Sequence, residues 1–269
     1  MLRRPSPEAL LLGRADAMGC FPLVPFCNRI GYRRFNHDGR TYELAANSGD
    51  SPHAIHGIGW QRPWRVEEVT ADSATLCLDH AAVDDEVRHW PFAFAARLTY
   101  QLTERGLTIE ISATNLHPSP APMGIGAHPW FPRGSGASIE FEANGVWLTR
   151  GELPTTHVPI PPEWNHAAGR SVDREPLDHC FTDWRGMARL PRLLIEADNV
   201  FHNLQVYTPA GADLFCVEPV SHVPNAINRG TLPETQAMTM LAHGQTLSGA
   251  MTFRPVESTR VTVTSTQPA

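Results

Sequence analysis

Residues 94–114 read Phe-Ala-Ala-Arg-Leu-Thr-Tyr-Gln-Leu-Thr-Glu-Arg-Gly-Leu-Thr-Ile-Glu-Ile-Ser-Ala-Thr. Phe94, Ala96, Leu98, Tyr100 and Leu102 alternate with mostly polar neighbours. Glu104-Arg105-Gly106 marks a turn, and Leu107, Ile109, Ile111 and Ala113 then resume the alternation. A period of two on both sides of a turn predicts a β-hairpin with one buried face.

The same pattern extends outward. Trp64–Val69 and Ala74–Leu78 flank Ala71-Asp72-Ser73, and Leu204–Thr208 and Leu214–Val217 flank Pro209-Ala210-Gly211-Ala212. Met251–Phe253 and Val261–Val263 add short strands near the end. No stretch of ten residues holds a 3.6-residue period; 185–196 comes closest, and Pro191 interrupts it. Twenty-four prolines and 20 glycines spread over 269 residues favour short strands joined by turns. The expectation is an all-β chain with sheets packed face to face, few short helices, and one domain over residues 1–269. The proline-rich run Pro154–Pro162 is expected to be a loop within that domain.

Bulk properties narrow the function. The formal charge is −6, and Arg3-Arg4 is too short to be a basic block, so a nucleic-acid partner is not expected. Cys20, Cys27, Cys77, Cys180 and Cys216 are odd in number and show no CxxC spacing, which fits free thiols in a reducing compartment. Ala9–Leu12 is too short for a signal sequence, and no stretch approaches the roughly 18 apolar residues of a membrane helix. A cytoplasmic protein without a membrane partner is expected, as a monomer or homodimer.

Several short segments could carry chemistry. In Gly124-Ile-Gly-Ala-His128-Pro-Trp-Phe131, small residues leave the imidazole open to a ligand and two aromatics offer walls. Pro129 biases His128 towards extended backbone. His53-Ala-Ile-His56-Gly-Ile-Gly-Trp60 repeats the style, with an indole that lines apolar sites well. Its His-x-x-His spacing could suggest a metal, but no further ligand lies at recognisable spacing, and none is expected. Asn28-Arg29 follows a proline-stiffened apolar run and could bind hydroxyls, or simply close a strand. Asp178 and His179 are strand neighbours and face opposite sides, so Asp178 is the better hydroxyl binder. Glu218 ends an apolar strand; burial raises a carboxylate's pKa and hydrogen bonds to its charged form lower it, so a glutamate balanced between the two could serve as a general base, or simply end the strand. No Gly-x-Ser-x-Gly elbow and no phosphate-binding glycine loop is present. What remains is a metal-free acid–base set among tryptophan, asparagine and arginine, which suits a sugar.

These segments, in this order, resemble the aldose 1-epimerase (galactose mutarotase) family. The similarity runs from about Cys20 to beyond His222 through Asn28-Arg29, His56–Trp64, Ala127–Phe131, Asp178–Phe181, Leu204–Thr208 and Glu218-Pro219. It implies a β-sandwich of the galactose mutarotase-like supersandwich type, no cofactor and no metal. It also implies interconversion of the α and β anomers of a free aldose. Glu218 matches the general base, His128 the general acid, and His56 a second histidine near the ring oxygen. Asn28, Arg29, Asp178 and Gln205 match residues that hold hydroxyls, and Trp60, in the matching aromatic segment, is expected to bind the substrate with them. About 27 residues precede Asn28, fewer than family members usually have, so an edge strand is missing or the true start lies upstream. Trp130 stands where the family commonly has tyrosine.

On this resemblance a negative Glu218 is expected to raise the His128 pKa, and the glycines beside His128 to give room for the ring's edge. Two other readings stay open: a mutarotase for hexose 6-phosphates, enlisting Arg29, Arg62 and Arg133, and a non-catalytic carbohydrate-binding or sensing module on the same scaffold.

Overall fold

The computed structural model describes residues 2–173 and 175–256. Two large antiparallel sheets dominate. The first has seven strands, in the order Cys20–Leu23, Gly126–Pro132, Leu214–Val220, Asn203–Thr208, Leu177–Thr182, Gly145–Arg150, Leu153–Pro159. The second has nine and includes the Phe94–Thr103 and Gly106–Asn115 hairpin that the alternation predicts. Leu98 lies opposite Ile111, and both are buried. Gly106 closes the turn at φ +134°, a conformation open chiefly to glycine. A Cβ there would also lie 2.3 Å from the Phe253 carbonyl oxygen.

The other two hairpins also form, as Arg65–Val69 with Ser73–His80 and Asn203–Thr208 with Leu214–Val220. Met251–Phe253 belongs to a longer strand, Thr246–Pro255, while Val261–Val263 lies outside the described residues. Residues 187–197 form two strands that turn at Pro191-Arg192, where Leu190 pairs with Leu193. Among the described residues one strand, Cys20–Leu23, precedes Asn28.

The run expected to be a loop is instead largely strand. Leu153–Pro159 pairs with Gly145–Arg150 at the outer edge of the seven-stranded sheet. An edge strand has one side free of ladder bonds, so prolines at 154 and 159 are tolerated there. A short hairpin, Arg34–His37 with Arg40–Glu43, turns through Asp38-Gly39 with both residues at positive φ, the two-residue signal favoured by tight hairpins.

The core lies between the two sheets. Phe131 packs on Phe215, and Phe181 meets Phe141 of the nine-stranded sheet edge-on at 5.0 Å. Residues alternate across a strand. The opposite face of the seven-stranded sheet therefore receives His128, Trp130, Asp178, Gln205, Tyr207, Cys216 and Glu218.

Candidate active site

Two cross-strand rows on that face build the site. In one, Trp130 pairs with Cys216, Cys216 with Tyr207, and Tyr207 with Asp178. In the other, Phe21 pairs with His128 and Glu218 with Gln205. Gly126 pairs with Val220 and Trp130 with Cys216, so His128 stands level with Glu218 between those pairs. Nε2 of His128 is 3.3 Å from Oε1 of Glu218. A single strand pairing thus closes ninety residues of sequence. Phe21 stacks on the His128 ring at 4.5 Å and fixes its plane.

Loops from the N-terminal part of the chain cover this floor. The short Arg29–Ile30 and Ala54–Ile55 strands pair and present Asn28, Arg29 and His56 to it. Together Asn28, Arg29, Ile55, His56, His128, Trp130, Asp178, Tyr207 and Glu218 line a cavity of about 280 Å³. That is close to the roughly 300 Å³ at the lower end of small-molecule sites. Gln205 lies behind the lining and donates from Nε2 to Asp178 at 2.6 Å. The second Asp178 oxygen accepts from Arg29 at 3.3 Å, and Nε of Arg29 lies 3.5 Å from Glu152.

Seven of the eight residues singled out from the sequence therefore gather here. Trp60 does not line the cavity. It lies behind Phe21 and His56, its indole N–H donates to the Ile55 carbonyl, and it faces a separate cleft. Trp130 and Tyr207 are the aromatic walls instead. Tyr207 was legible in principle, because it lies two residues beyond Gln205 on the same strand face.

The glycines beside His128 do not give room to a ligand. A Cβ on Gly124 would lie 2.1 Å from Cδ2 of His222, and one on Gly126 2.9 Å from Sγ of Cys27. They admit the neighbouring structural side chains.

Burial controls the electrostatics. It pushes the His128 imidazole down to about 3 and the Glu218 carboxyl well above its ordinary range. Asp178 adds to the rise at Glu218. The expectation that Glu218 raises the His128 pKa is thus reversed, because withdrawal from water dominates at His128. His56 is also held neutral by burial, well below its ordinary value.

Five of the eleven buried polar side-chain atoms without a hydrogen-bond partner among the described residues belong to the site: Nδ1 of His128, Oε2 of Glu218, Nε1 of Trp130 and Nε of Arg29 on residues that line the cavity, and Oε1 of Gln205 just behind them. Each unpaired group costs about 1–3 kcal/mol, so the site is built for a ligand that offers both donors and acceptors. His128, Cys216 and Glu218 also bring one nitrogen, sulfur or oxygen donor each within 4.8 Å of the others, the one such trio among the described residues. His53 and His56 form no such group with each other: Nδ1 of His53 accepts from Tyr32 N–H and Nδ1 of His56 from Asn28 N–H.

The sequence model of the aldose 1-epimerase family matches residues 2–254. The uncharacterised YphB protein of Escherichia coli K12 is 30% identical over 268 residues, covering 94% of this chain and 88% of that protein. A solved structure from the same organism, provisionally assigned as an aldose 1-epimerase, superposes with a TM-score of 0.83 at 29% identity, covering 95% and 88% of the two chains. A galactose mutarotase-like protein from Clostridium acetobutylicum shares the fold, with a TM-score of 0.80 at 20% identity over 95% and 85%. Among the described residues no helix is long and apolar enough to cross a membrane.

Proposed function

The chain belongs to the aldose 1-epimerase family, and on that premise we propose that it interconverts the α and β anomers of a free aldohexose. The observation that carries the proposal is the pair of Glu218 and His128, 3.3 Å apart on the floor of a sugar-sized cavity.

Ring opening removes a proton from the anomeric O1–H and delivers one to the ring oxygen as the C1–O bond breaks. Glu218 as carboxylate accepts the first, and His128 as imidazolium donates the second. Rotation about C1–C2 and closure on the other carbonyl face reverse both transfers. The shifted pKa values fit this exchange. Burial favours the uncharged arrangement of the pair, a carboxylic acid beside a neutral imidazole, because it raises the Glu218 pKa and lowers that of His128. Sugar hydroxyls that supply hydrogen bonds favour the ionised form, carboxylate beside imidazolium, from which opening starts. After opening, Glu218 is protonated and His128 neutral, the same distribution as at rest. His56, with its proton on Nε2, donates to a sugar oxygen without titrating. Asn28, Arg29 and Asp178 hold ring hydroxyls, Gln205 orients Asp178, and Trp130 and Tyr207 form the walls.

The charges favour a neutral sugar over a hexose 6-phosphate. Arg29 already faces Asp178 and Glu152, and Arg62 is paired with Glu86 at 2.7 Å. Arg133 donates to the Pro209 carbonyl and does not line the cavity. Retention of both acid and base favours an enzyme over a binding module. The proposal treats the chain as one domain acting in the cytoplasm, where its five free cysteines stay reduced.

Polarimetry of freshly dissolved α-glucose and α-galactose tests it. The wild type should accelerate the drift of optical rotation, and Glu218→Gln should lower kcat by about 10²–10⁴. No acceleration over a broad panel of free aldoses refutes the proposal.

A further inference from the structure

The proton exchange proposed above uses two of three clustered donors. Cys216 precedes Glu218 by two residues on one strand and shares its face, with Trp130 as cross-strand neighbour. His128, Cys216 and Glu218 are all buried, and a donor atom of each lies within 4.8 Å of the other two. Imidazole nitrogen, thiolate sulfur and carboxylate oxygen are the ligand types of Zn²⁺, at about 2.0–2.1, 2.3 and 2.0–2.2 Å. A tetrahedron with arms of about 2.0 Å has edges of about 3.3 Å. The separation of His128 Nε2 and Glu218 Oε1 is 3.3 Å. One thiolate and one carboxylate balance the ion's two charges. Three protein ligands leave a fourth position, and His128 and Glu218 both line the cavity that would supply it.

We infer that His128, Cys216 and Glu218 form a Zn²⁺ site with its open position towards the cavity, and that Zn²⁺ and sugar exclude one another there. Bound zinc occupies the acid and the base at once, so it acts as a reversible inhibitor. The exclusion of sugar rests on the proposed function; the metal site does not.

The full chain is titrated with Zn²⁺ by calorimetry and with Co²⁺ by absorption, as wild type and as Cys216→Ser. One equivalent of metal is expected, with thiolate-to-cobalt charge-transfer absorption. Cys216→Ser should remove that absorption, weaken Zn²⁺ binding by at least about tenfold and leave metal-free mutarotation unchanged. Cobalt binding without charge transfer, or a Zn²⁺ affinity unaltered by Cys216→Ser, overturns the inference. If Cys216→Ser does not fold, the wild-type cobalt spectrum decides. Metal binding of this kind without mutarotation would sink the proposed function alone; mutarotation without metal binding would sink the zinc site alone.

Discussion

The backbone N–H of Asn28 donates to Nδ1 of His56 at 3.2 Å, and the N–H of His56 returns a bond to the Asn28 carbonyl at 2.8 Å. Both residues hold positive φ, 54° and 60°, an uncommon conformation that asparagine and histidine adopt more readily than most non-glycine residues. With its Nδ1 lone pair engaged, His56 must carry its proton on Nε2. Burial keeps the ring neutral, so it serves as a fixed hydrogen-bond donor.

Replacing His56 with alanine removes that donor and leaves the Asn28 N–H unpaired. A fall in kcat/KM of about 10²–10³ is expected by polarimetry, the effect of losing one preorganised donor. A stability loss of about 1–3 kcal/mol should accompany it in urea unfolding. Activity within twofold of wild type would show that His56 does not touch the reacting sugar.

The His128–Glu218 pair makes a prediction about stability and pH. Between about pH 4.5 and 6.5 the unfolded chain holds one proton on this pair, at the histidine. In the folded chain burial moves that proton towards Glu218, because it raises one pKa and lowers the other. The two shifts oppose one another in the wild-type stability curve. Glu218→Gln leaves a folded His128 that binds no proton, so stability relative to wild type should rise with pH. His128→Gln leaves a folded Glu218 whose raised pKa makes it bind a proton more tightly than the unfolded chain does, so relative stability should fall with pH. Each slope is on the order of 1 kcal/mol per pH unit. Urea unfolding at several pH values checks both signs, and parallel curves for all three proteins would contradict the assignment.

Asp178 ties Gln205 to Arg29 and cancels part of the arginine's charge. In Asp178→Ala the sugar loses an acceptor, while Arg29 keeps only Glu152 as a carboxylate neighbour. KM for glucose should rise about tenfold, the equivalent of one hydrogen bond to a charged group. The ratio of kcat/KM for glucose 6-phosphate over glucose should rise as well. An unchanged ratio would mean that this pairing has no part in choosing neutral sugars.

Gly124 faces a ring that cannot yield. His222 accepts from Cys27 N–H at 3.0 Å and donates to the Val223 carbonyl at 2.8 Å, so a methyl group 2.1 Å from its Cδ2 must displace the backbone. Gly124→Ala should cost about 1–3 kcal/mol or more in urea unfolding. Gly134→Ala, with nothing within 4 Å of the added Cβ, is the control and should change stability little.

The hairpin at 94–115 was readable because a period of two is a local property, set by the alternation of Cβ directions along a strand. The same logic failed at 154–159, where prolines look like loop residues until an edge position shows that their missing N–H groups cost little. Asn28, Arg29, His56, His128, Asp178 and Glu218 stand out in short segments because residue type and immediate neighbours limit what a side chain can do, whereas Gln205 is named only through the resemblance to the family. Trp60 could not be placed, since its direction depends on Phe21, a residue thirty-nine positions away in sequence. The protonation of His128 was misjudged for a related reason. A sequence shows that an acid exists, but not how much water surrounds the base beside it. The sequence by itself determined the main hairpins and the all-β class through local periodicity, and its short motifs and their resemblance to a family singled out a set of candidate site residues. The tertiary structure decided which of them meet, at what distance and with how little water, because register between distant strands and burial are properties of the whole fold.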